Sequence, residues 1–249
     1  MTLVWVAPDQ PLPCPEQASP EGLVAAGLDL SVPRLLEAYS QGMFPWYSPG
    51  DPVLWWCPDP RMVLDLRQFR TSHSLAKKLR QIRRRQHDQD APVRVTCDQA
   101  FDQVIGHCAG LRASAGTWIS ADIQHVYSAL HHAGHAHSIE TWMDGELAGG
   151  LYGVNLGGFF FGESMFALRT DASKIALAHL ADFLLGAGVQ FIDCQQETRH
   201  LASLGAQPMP RRHFLDILAQ ALRGPAPLWP QGRLLLGETP ACEPGAGVP

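Results

Sequence analysis

The order of secondary structure predicted between residues 121 and 223 constrains the fold of this 249-residue chain more than any other feature. Two turn motifs, Asp144–Gly145 and Gly157–Gly158, divide an apolar stretch into three strands. The elements around these strands are a helix before them, a helix after them, a fourth strand and a final helix, at residues 121–134, 171–187, 189–195 and 210–223. Three strands linked by tight turns predict a central, mostly antiparallel sheet.

This order is similar to the sheet of GNAT-type acyltransferases, although a likeness at the level of the fold fixes no substrate. The residues before it are rich in Pro and Gly, with a short helix that begins near Val32 behind the N-cap Ser31. We therefore expect an α+β fold, in which a small N-terminal mixed α/β domain precedes a GNAT-like C-terminal domain. The expected parts are an extended Pro-rich lead, the mixed domain, the catalytic domain and a loose tail, at residues 1–20, 21–112, 113–223 and 224–249.

Positive charge is concentrated in one segment, although the formal net charge of the chain is −5. Between Leu66 and His87 the chain has eight Lys and Arg residues and no Asp or Glu. A basic helix is predicted from Ser72 to Gln86, and its charges either form a solvated surface or bind nucleic acid. The candidate phosphate-binding residues are Lys77, Lys78, Arg80, Arg83, Arg84 and Arg85.

Several classes of protein are disfavoured by what the sequence lacks. No apolar run reaches the roughly 18 residues that a membrane-spanning helix needs, and no basic leader precedes the short apolar N-terminus. A cytoplasmic location is therefore expected. The six cysteines form no CxxC pair, and neither GxGxxG nor GxxxxGK is present.

Four histidines lie close together, at positions 131, 132, 135 and 137, and raise the question of a metal site. Gly134 interrupts the helix between them, and no HExxH spacing is present. A solvated helix end is the favoured interpretation, and no metal is expected.

Asp193 and Gln195 are the sharpest local candidates for chemistry. In a regular strand they share one face with Phe191, so the carboxylate can accept a hydrogen bond from the amide. They are either a catalytic pair or a polar strand end that caps a neighbouring loop. Cys194 points to the other face, where an inert buried thiol is favoured over a nucleophile with His200 as its base.

Glu163 follows the aromatic run Phe159–Phe161 and is expected to be partly buried. A buried carboxylate needs a cationic or hydrogen-bonding partner. That partner is either a positively charged substrate group or an internal residue such as Arg169 or Lys174.

The chain has seven tryptophans, of which several lie in turn-rich or loop contexts. Trp46 and Trp118 are examples. Such tryptophans either pack in the core or stack on a nucleotide base, which contributes about 1–3 kcal/mol per base. A basic helix in the same chain favours stacking on the single-stranded end of an RNA.

Long motifs between about Gly27 and Arg223 resemble one family, the bacterial leucyl/phenylalanyl-tRNA–protein transferases. They include YSQGMFPWYSPGDPVLWWCPDPRMVL, GTWI, GELAGGLYGV, GESMF, FIDCQ and HLASLGA. The resemblance implies transfer of Leu, Phe or Met from aminoacyl-tRNA to a protein with N-terminal Arg or Lys, which marks that protein for degradation. It implies no metal, coenzyme or membrane, and we expect a monomer.

The resemblance also implies roles for individual residues. Trp46 and Trp118 are expected to hold the terminal adenosine, and Glu163 to recognise the basic acceptor. The residues expected to line the aminoacyl pocket are Leu151, Phe160 and Met165. Asp193 and Gln195 are expected to handle proton transfer. Because an amide oxygen is a very poor base, we expect Gln195 to orient the amine while Asp193 or water takes the proton.

Two rival functions stay open. An acetyl-CoA-dependent GNAT acetyltransferase would normally have a glycine-containing pyrophosphate loop, which the segment RTDASKIAL does not provide. A non-catalytic RNA-binding protein would keep the basic helix and the tryptophans but would tolerate loss of Asp193 and Gln195.

Overall fold

The computed structural model describes residues 3–111 and 118–238. Its α-helices are α1 (Val32–Ser40), α2 (His73–Arg85), α3 (Phe101–Gly110), α4 (Ala121–His132), α5 (Ala172–Gly186), α6 (Arg199–Ser203) and α7 (Arg211–Ala221). Its strands are β1 (Trp5–Val6), β2 (Leu23–Gly27), β3 (Phe44–Pro45), β4 (Val53–Trp56), β5 (Arg61–Asp65), β6 (Val93–Cys97), β7 (Ala136–Met143), β8 (Glu146–Leu156), β9 (Phe159–Ala167), β10 (Phe191–Gln195), β11 (Gln207–Met209) and β12 (Gly232–Arg233). Within the described residues, no helix is both long and apolar enough to span a lipid bilayer.

Eight strands form a large sheet in the order β11-β5-β10-β9-β8-β7-β6-β12. Neighbouring strands run antiparallel except β9 and β10, which are parallel. The predicted α+β class with a mostly antiparallel sheet is therefore confirmed. The sheets do not divide at residue 112, because β5 and β6 precede that position and still pair in the large sheet.

Both predicted turns lie where the sequence placed them. Asp144 and Gly145 have φ angles of 55° and 87° and link β7 to β8, as the mirror-image turn of a two-residue hairpin requires. Gly157 has φ of 52° and lies against the end of α7, where an added Cβ would be 2.8 Å from the carbonyl oxygen of Leu222.

Apolar side chains cover both faces of the large sheet. One core contains α3, α4, α1 and the four-stranded sheet β1-β2-β4-β3. The other core contains α5 and the apolar stripe of α2, including Leu75 and Ile82. The alternation of Phe159, Phe160 and Phe161 along β9 supplies both cores, since successive strand residues point to opposite faces.

The Pro-rich lead is extended and is fixed by one buried cation. Arg34 on α1 donates to the carbonyl oxygens of Ala7, Pro8 and Gln10 at 3.2, 3.0 and 2.7 Å. Its charge is also paired with Asp29 and Glu37. These bonds give the lead a defined path over α1.

The expectation of a loose tail is wrong for residues 224–238. Trp229 stacks on His137 with ring centroids 4.0 Å apart, and it also contacts Phe160 and Phe183. Leu234 is buried, and β12 pairs with β6. Composition alone suggested a tail, but apolar packing and strand pairing dock this segment on the sheet. Residues 239–249 lie outside the described part.

Candidate functional site

The parallel strands β9 and β10 bring the central polar side chains together. The two strands pair through Phe160–Ile192 and Phe161–Asp193. Glu163 and Gln195 follow two residues further along their own strands. The Gln195 amide Nε2 donates to Glu163 Oε1 at 3.1 Å, so the two side chains bridge the strands.

A β-bulge between Asp193 and Gln195 changes the geometry expected of a regular strand. The register of β10 on β5 shifts between these residues, and Gln195 has a left-handed φ of 58°. The backbone N–H of Gln195 donates to Asp193 Oδ1 at 2.9 Å, whereas its side-chain amide turns to Glu163. The predicted bond between the Gln195 amide and Asp193 is therefore wrong, because regular strand alternation ends at the bulge.

Asp193 instead forms a completely buried ion pair with Arg61 of β5. Arg61 Nε donates to Oδ1 at 2.8 Å and Nη2 donates to Oδ2 at 2.6 Å. The guanidinium also lies between the rings of Phe44 and Phe214, with centroids 4.7 and 4.6 Å away. This bidentate geometry fixes the orientation of the carboxylate against β5.

Glu163 has neutral partners rather than the expected cations. Tyr39 of α1 donates to Oε1 at 2.7 Å, and Tyr127 of α4 donates to Oε2 at 3.1 Å. Arg169 and Lys174, the internal partners suggested by the sequence, pair with Asp144 and Asp171 instead. Burial raises the pKa of Glu163 to about 7, although the Tyr39 hydrogen bond opposes the shift.

These side chains border a cavity of about 1060 Å³ between β3, β4 and the end of β10. Trp46, Trp118, Glu163 and Gln195 all line it, so the structure brings four of the predicted site residues together. The other lining residues include aromatic and polar side chains, among them Phe44, Tyr47, Asp51, Trp56 and Thr198. A large aromatic-walled cavity with a few convergent polar groups is typical of a ligand site.

The tryptophans form one wall of this cavity. Trp46 is 42% exposed, and its ring meets that of Trp56 edge-on at 5.7 Å between centroids. Trp56 Nε1 donates to the Trp46 carbonyl oxygen at 2.7 Å, which fixes the Trp46 backbone. Trp118 is partly buried and follows residues 112–117, which lie outside the described residues.

Three predicted pocket residues do not line the cavity. Leu151 and Phe160 are almost completely buried in the core on the α5 side of the sheet, and Met165 packs against that core. Leu151 and Met165 are cross-strand partners on β8 and β9. The structure thus places them together, but separately from the Trp46 wall.

Helix α2 carries the predicted basic surface. Ser72 is its N-cap, accepting from the Leu75 backbone N–H, and the apolar stripe packs on the sheet side. Two of its positive charges are paired with carboxylates: Lys78 with Asp171 and Arg85 with Asp88, each at 2.7 Å. The exposed basic residues of the helix are Lys77, Arg80, Arg83, Arg84 and Arg85.

The structure shows the environments of the histidine cluster and of Cys194. His137 is buried on β7, not on a solvated helix end, and its Nδ1 lies 2.8 Å from Asp98 Oδ2. Among the described residues, no group of three or more His, Cys, Asp or Glu is arranged to hold a metal ion. The expectation of a buried Cys194 is wrong, because this residue is only partly buried and lines the same cavity as Gln195. Desolvation of the thiol nevertheless raises its pKa far above the ordinary value, which disfavours a thiolate nucleophile.

Sequence reasoning missed Arg61, Tyr39, Tyr127 and Asp51. Arg61 stands in the apolar strand RMVL, and a cation there requires a buried partner. Tyr39 and Tyr127 fall on the buried faces of α1 and α4, where each hydroxyl needs a hydrogen-bond partner. These patterns predict partnered polar groups, but they do not identify Glu163 as the partner.

Comparison with solved structures gives only weak likenesses. A GCN5-related N-acetyltransferase from Kribbella flavida aligns with a TM-score of 0.34 and 11% identity, covering 70% of this chain and 60% of that one. An L-PGS structure from Bacillus licheniformis aligns with a TM-score of 0.36 and 11% identity, over 84% of this chain and 66% of that one.

Sequence comparison is far more specific. The family model described as leucyl/phenylalanyl-tRNA protein transferase matches residues 63–219, and the model of its N-terminal domain matches residues 28–59. A leucyl/phenylalanyl-tRNA–protein transferase of Bordetella petrii is 59% identical over 94% of both chains. One of Bordetella bronchiseptica is 56% identical over 94% of this chain and 93% of its own length. With the motifs, the cavity and these relatives in agreement, this chain belongs to the leucyl/phenylalanyl-tRNA–protein transferase family.

Proposed function

We propose that this protein transfers Leu, Phe or Met from aminoacyl-tRNA to the N-terminal Arg or Lys of an acceptor protein, which marks the acceptor for degradation. The observation that carries this proposal is the tryptophan-walled cavity with Glu163 and Gln195 at its polar end. It combines a surface for a nucleoside with polar groups for an amine. The names of the relatives support both substrate classes.

The RNA end of the substrate is assigned to two surfaces. Trp46 and Trp118 are the proposed contacts for the terminal adenosine, since an exposed indole face stacks well on a base. The basic face of α2 is the proposed contact for phosphates, without sequence reading. The proposed phosphate contacts are Lys77, Lys78, Arg80, Arg83, Arg84 and Arg85.

The aminoacyl side chain is assigned from the resemblance alone. Leu151, Phe160 and Met165 remain the proposed contacts, and their apolar side chains suit Leu, Phe and Met alike. One methylene changes affinity by only about 1–3 kcal/mol, so sharp discrimination among the three is not expected.

The acceptor requires carboxylates, because both its α-ammonium and its side chain are cationic. Among the described residues, two carboxylates line the cavity: the buried Glu163 and the exposed Asp51. This arrangement suits a peptide whose first residue is Arg or Lys, and it disfavours an acidic N-terminus.

The chemistry asks little of the protein beyond positioning. The ester bond to tRNA is already activated. Holding an amine against it lowers the activation free energy by about 7–11 kcal/mol. A free α-amine with a pKa of about 7.7–8.0 is partly neutral near pH 7. No metal or coenzyme is required for this aminolysis.

Transfer of labelled Leu from charged tRNA tests the proposal directly. A peptide that begins with Arg should gain the label, whereas one that begins with Ala should not. Matched peptides that differ only in the first residue separate acceptor recognition from general reactivity. If the protein leaves the tRNA charged in the presence of the Arg-led peptide, the proposed activity is refuted.

Two rival functions make different predictions. An acetyl-CoA-dependent acetyltransferase should be stabilised against heat by acetyl-CoA rather than by an aminoacyl-adenosine analogue. A non-catalytic RNA-binding protein should bind tRNA equally well after the substitution Gln195→Ala and should form no peptide bond.

A cytoplasmic location and a monomeric state are likewise proposed.

A further inference from the structure

Asp193 is poorly placed to take a proton from the acceptor amine. Its side chain is completely buried, and its oxygens accept from Arg61 Nε, Arg61 Nη2 and the Gln195 backbone N–H. Protonating it would break a bidentate ion pair and leave a buried guanidinium without its counter-charge. This carboxylate therefore serves as a fixed support for the bulge at Gln195.

Glu163 is also buried, but its access to the cavity and its hydrogen-bond partners differ from those of Asp193. It lines the cavity, and its hydrogen-bond donors are the hydroxyls of Tyr39 and Tyr127 and the amide of Gln195. Among the described residues, no Lys or Arg lies within ion-pair distance of it. Neutral donors tolerate both the protonated and the charged carboxyl group, so the proton can come and go without breaking an ion pair.

Gln195 is the link between Glu163 and the substrate. Its side-chain Nε2 donates to Glu163. Its carbonyl oxygen Oε1 can therefore accept a hydrogen bond from an N–H of the substrate. An amine held on this oxygen lies beside the Glu163 carboxylate. The amide can therefore position an amine, and Glu163 is the carboxylate bonded to that same amide, at 3.1 Å from its Nε2.

We propose that the Glu163 carboxylate, rather than that of Asp193, accepts the proton that the acceptor α-amine loses during transfer. This inference rests on the proposed aminoacyl transfer. It makes Glu163 a catalytic residue and Asp193, with Arg61, a positioning pair that acts through Gln195. Recognition of the acceptor's basic side chain is then left to Asp51, the other carboxylate of the cavity.

The step balances without any further reactant. The neutral amine attacks the ester carbonyl carbon, a C–N bond forms, and the amine proton passes to Glu163. The bond between the carbonyl carbon and the ribose oxygen then breaks, and Glu163 returns the proton to that oxygen. The products are an amide and a tRNA with a free hydroxyl, and the carboxylate is regenerated.

The ionisable groups around Glu163 are consistent with Glu163 being the group that gains and loses the proton. Tyr39 and Tyr127 have pKa values raised well above 10 by burial and by the Glu163 charge, so they stay protonated donors. Asp193 raises the pKa of Glu163, and Arg61 lowers it. The resulting value of about 7 lies close to that of an α-amine, which favours proton transfer between them.

The substitution Glu163→Gln tests the proposal in single-turnover transfer from charged tRNA to an Arg-led peptide. We expect the rate at saturating peptide to fall by about 100-fold or more, while the peptide KM changes less than about twofold. Below pH 6, log(kcat/KM) should rise with a slope near 2 in the unmodified protein and near 1 in the variant, because one of two required deprotonations is lost. Glu140→Gln, which alters another buried carboxylate of the same sheet, measures the effect of such a change on the fold.

Tyr39→Phe gives a second, independent readout. The hydroxyl of Tyr39 lowers the pKa of Glu163, so its removal should move the acidic limb of the pH profile to higher pH. The proposal is overturned if Glu163→Gln raises KM tenfold with an unchanged saturating rate, or if both variants keep the original pH profile. Absence of transfer by the unmodified protein would instead refute the proposed function itself.

Discussion

Arg61 and Asp193 form an ion pair in which both side chains are completely inaccessible to solvent, with Nη2 and Oδ2 2.6 Å apart. The pair joins β5 to β10 at the residue before the bulge begins. Removing one partner leaves an uncompensated buried charge, which typically destabilises a protein by several kcal/mol.

Arg61→Met should therefore lower the free energy of unfolding by about 3–5 kcal/mol. Adding Asp193→Asn to it should recover part of this loss, because no buried charge then remains unpaired. Urea denaturation followed by circular dichroism measures both effects. Arg67→Met, which removes the exposed arginine of the Arg67–Asp65 pair, is the control and should shift the midpoint far less. Equal effects of Arg61→Met and Arg67→Met would contradict the importance of the buried pair.

Glu163→Gln should make the folded protein more stable at alkaline pH. The pKa of Glu163 is about 7 when folded and about 4.5 when unfolded, so the folded state holds an extra proton between these pH values. The free energy of unfolding of the unmodified protein therefore falls as pH rises from 4.5 to 7 and is constant above that. The variant lacks this loss and should be more stable by about 2–3 kcal/mol at pH 8.

Urea midpoints at pH 5 and pH 8 check this sign. The advantage of Glu163→Gln should be small at pH 5 and largest at pH 8. The exposed Glu16→Gln is the matched control and should follow the unmodified protein at both pH values. A variant that is less stable than the unmodified protein at pH 8 would argue against a raised pKa.

Asp51→Asn should weaken acceptor recognition without slowing the chemistry. Because Asp51 is exposed and its attraction is screened by solvent, we expect KM for an Arg-led peptide to rise about two- to fivefold while the rate at saturation is kept. Steady-state kinetics at low salt measures this split. Asp216→Asn on the exposed face of α7 controls for the change in net charge; a lower saturating rate for Asp51→Asn would contradict a role in binding alone.

Neutralising α2 should reduce the salt dependence of tRNA binding. Lys77, Arg80 and Arg84 are exposed and fall on one helical face, so together they can follow a phosphate backbone. Changing all three to Gln should reduce the slope of log K against log salt by about 2–3, since each phosphate contact contributes roughly 0.7–0.9. Lys78→Gln, whose amine already pairs with Asp171, should change the slope less. Equal slopes for the triple variant and the unmodified protein would exclude α2 from tRNA binding.

Trp229 should contribute much of the stability of the docked C-terminal segment. Trp229→Ala removes its contacts with His137, Phe160 and Phe183 and should lower the free energy of unfolding by roughly 2–4 kcal/mol. The adjacent Leu228 is 61% exposed, so Leu228→Ala should have little effect. Thermal denaturation of the two variants distinguishes a docked segment from a loose tail, for which both changes would be equally mild.

The residue patterns determined most of the local structure. The Ser31 cap, the Asp144–Gly145 turn and the strands on either side of that turn lie where the sequence predicts them. Each depends on interactions between residues close in the chain, such as an N-cap hydroxyl and a backbone N–H three residues on.

Only the tertiary structure decided which side chains of the candidate site bond to one another. The sequence placed Asp193 and Gln195 two residues apart and suggested that they bond through the amide, but the bulge turned that amide to Glu163. The partners of these carboxylates, Arg61, Tyr39 and Tyr127, are separated from them by 132, 124 and 36 residues. Local propensity carries no information about contacts over such distances, because they arise when whole elements pack; the sequence thus determined which side chains were available, and packing determined which of them met.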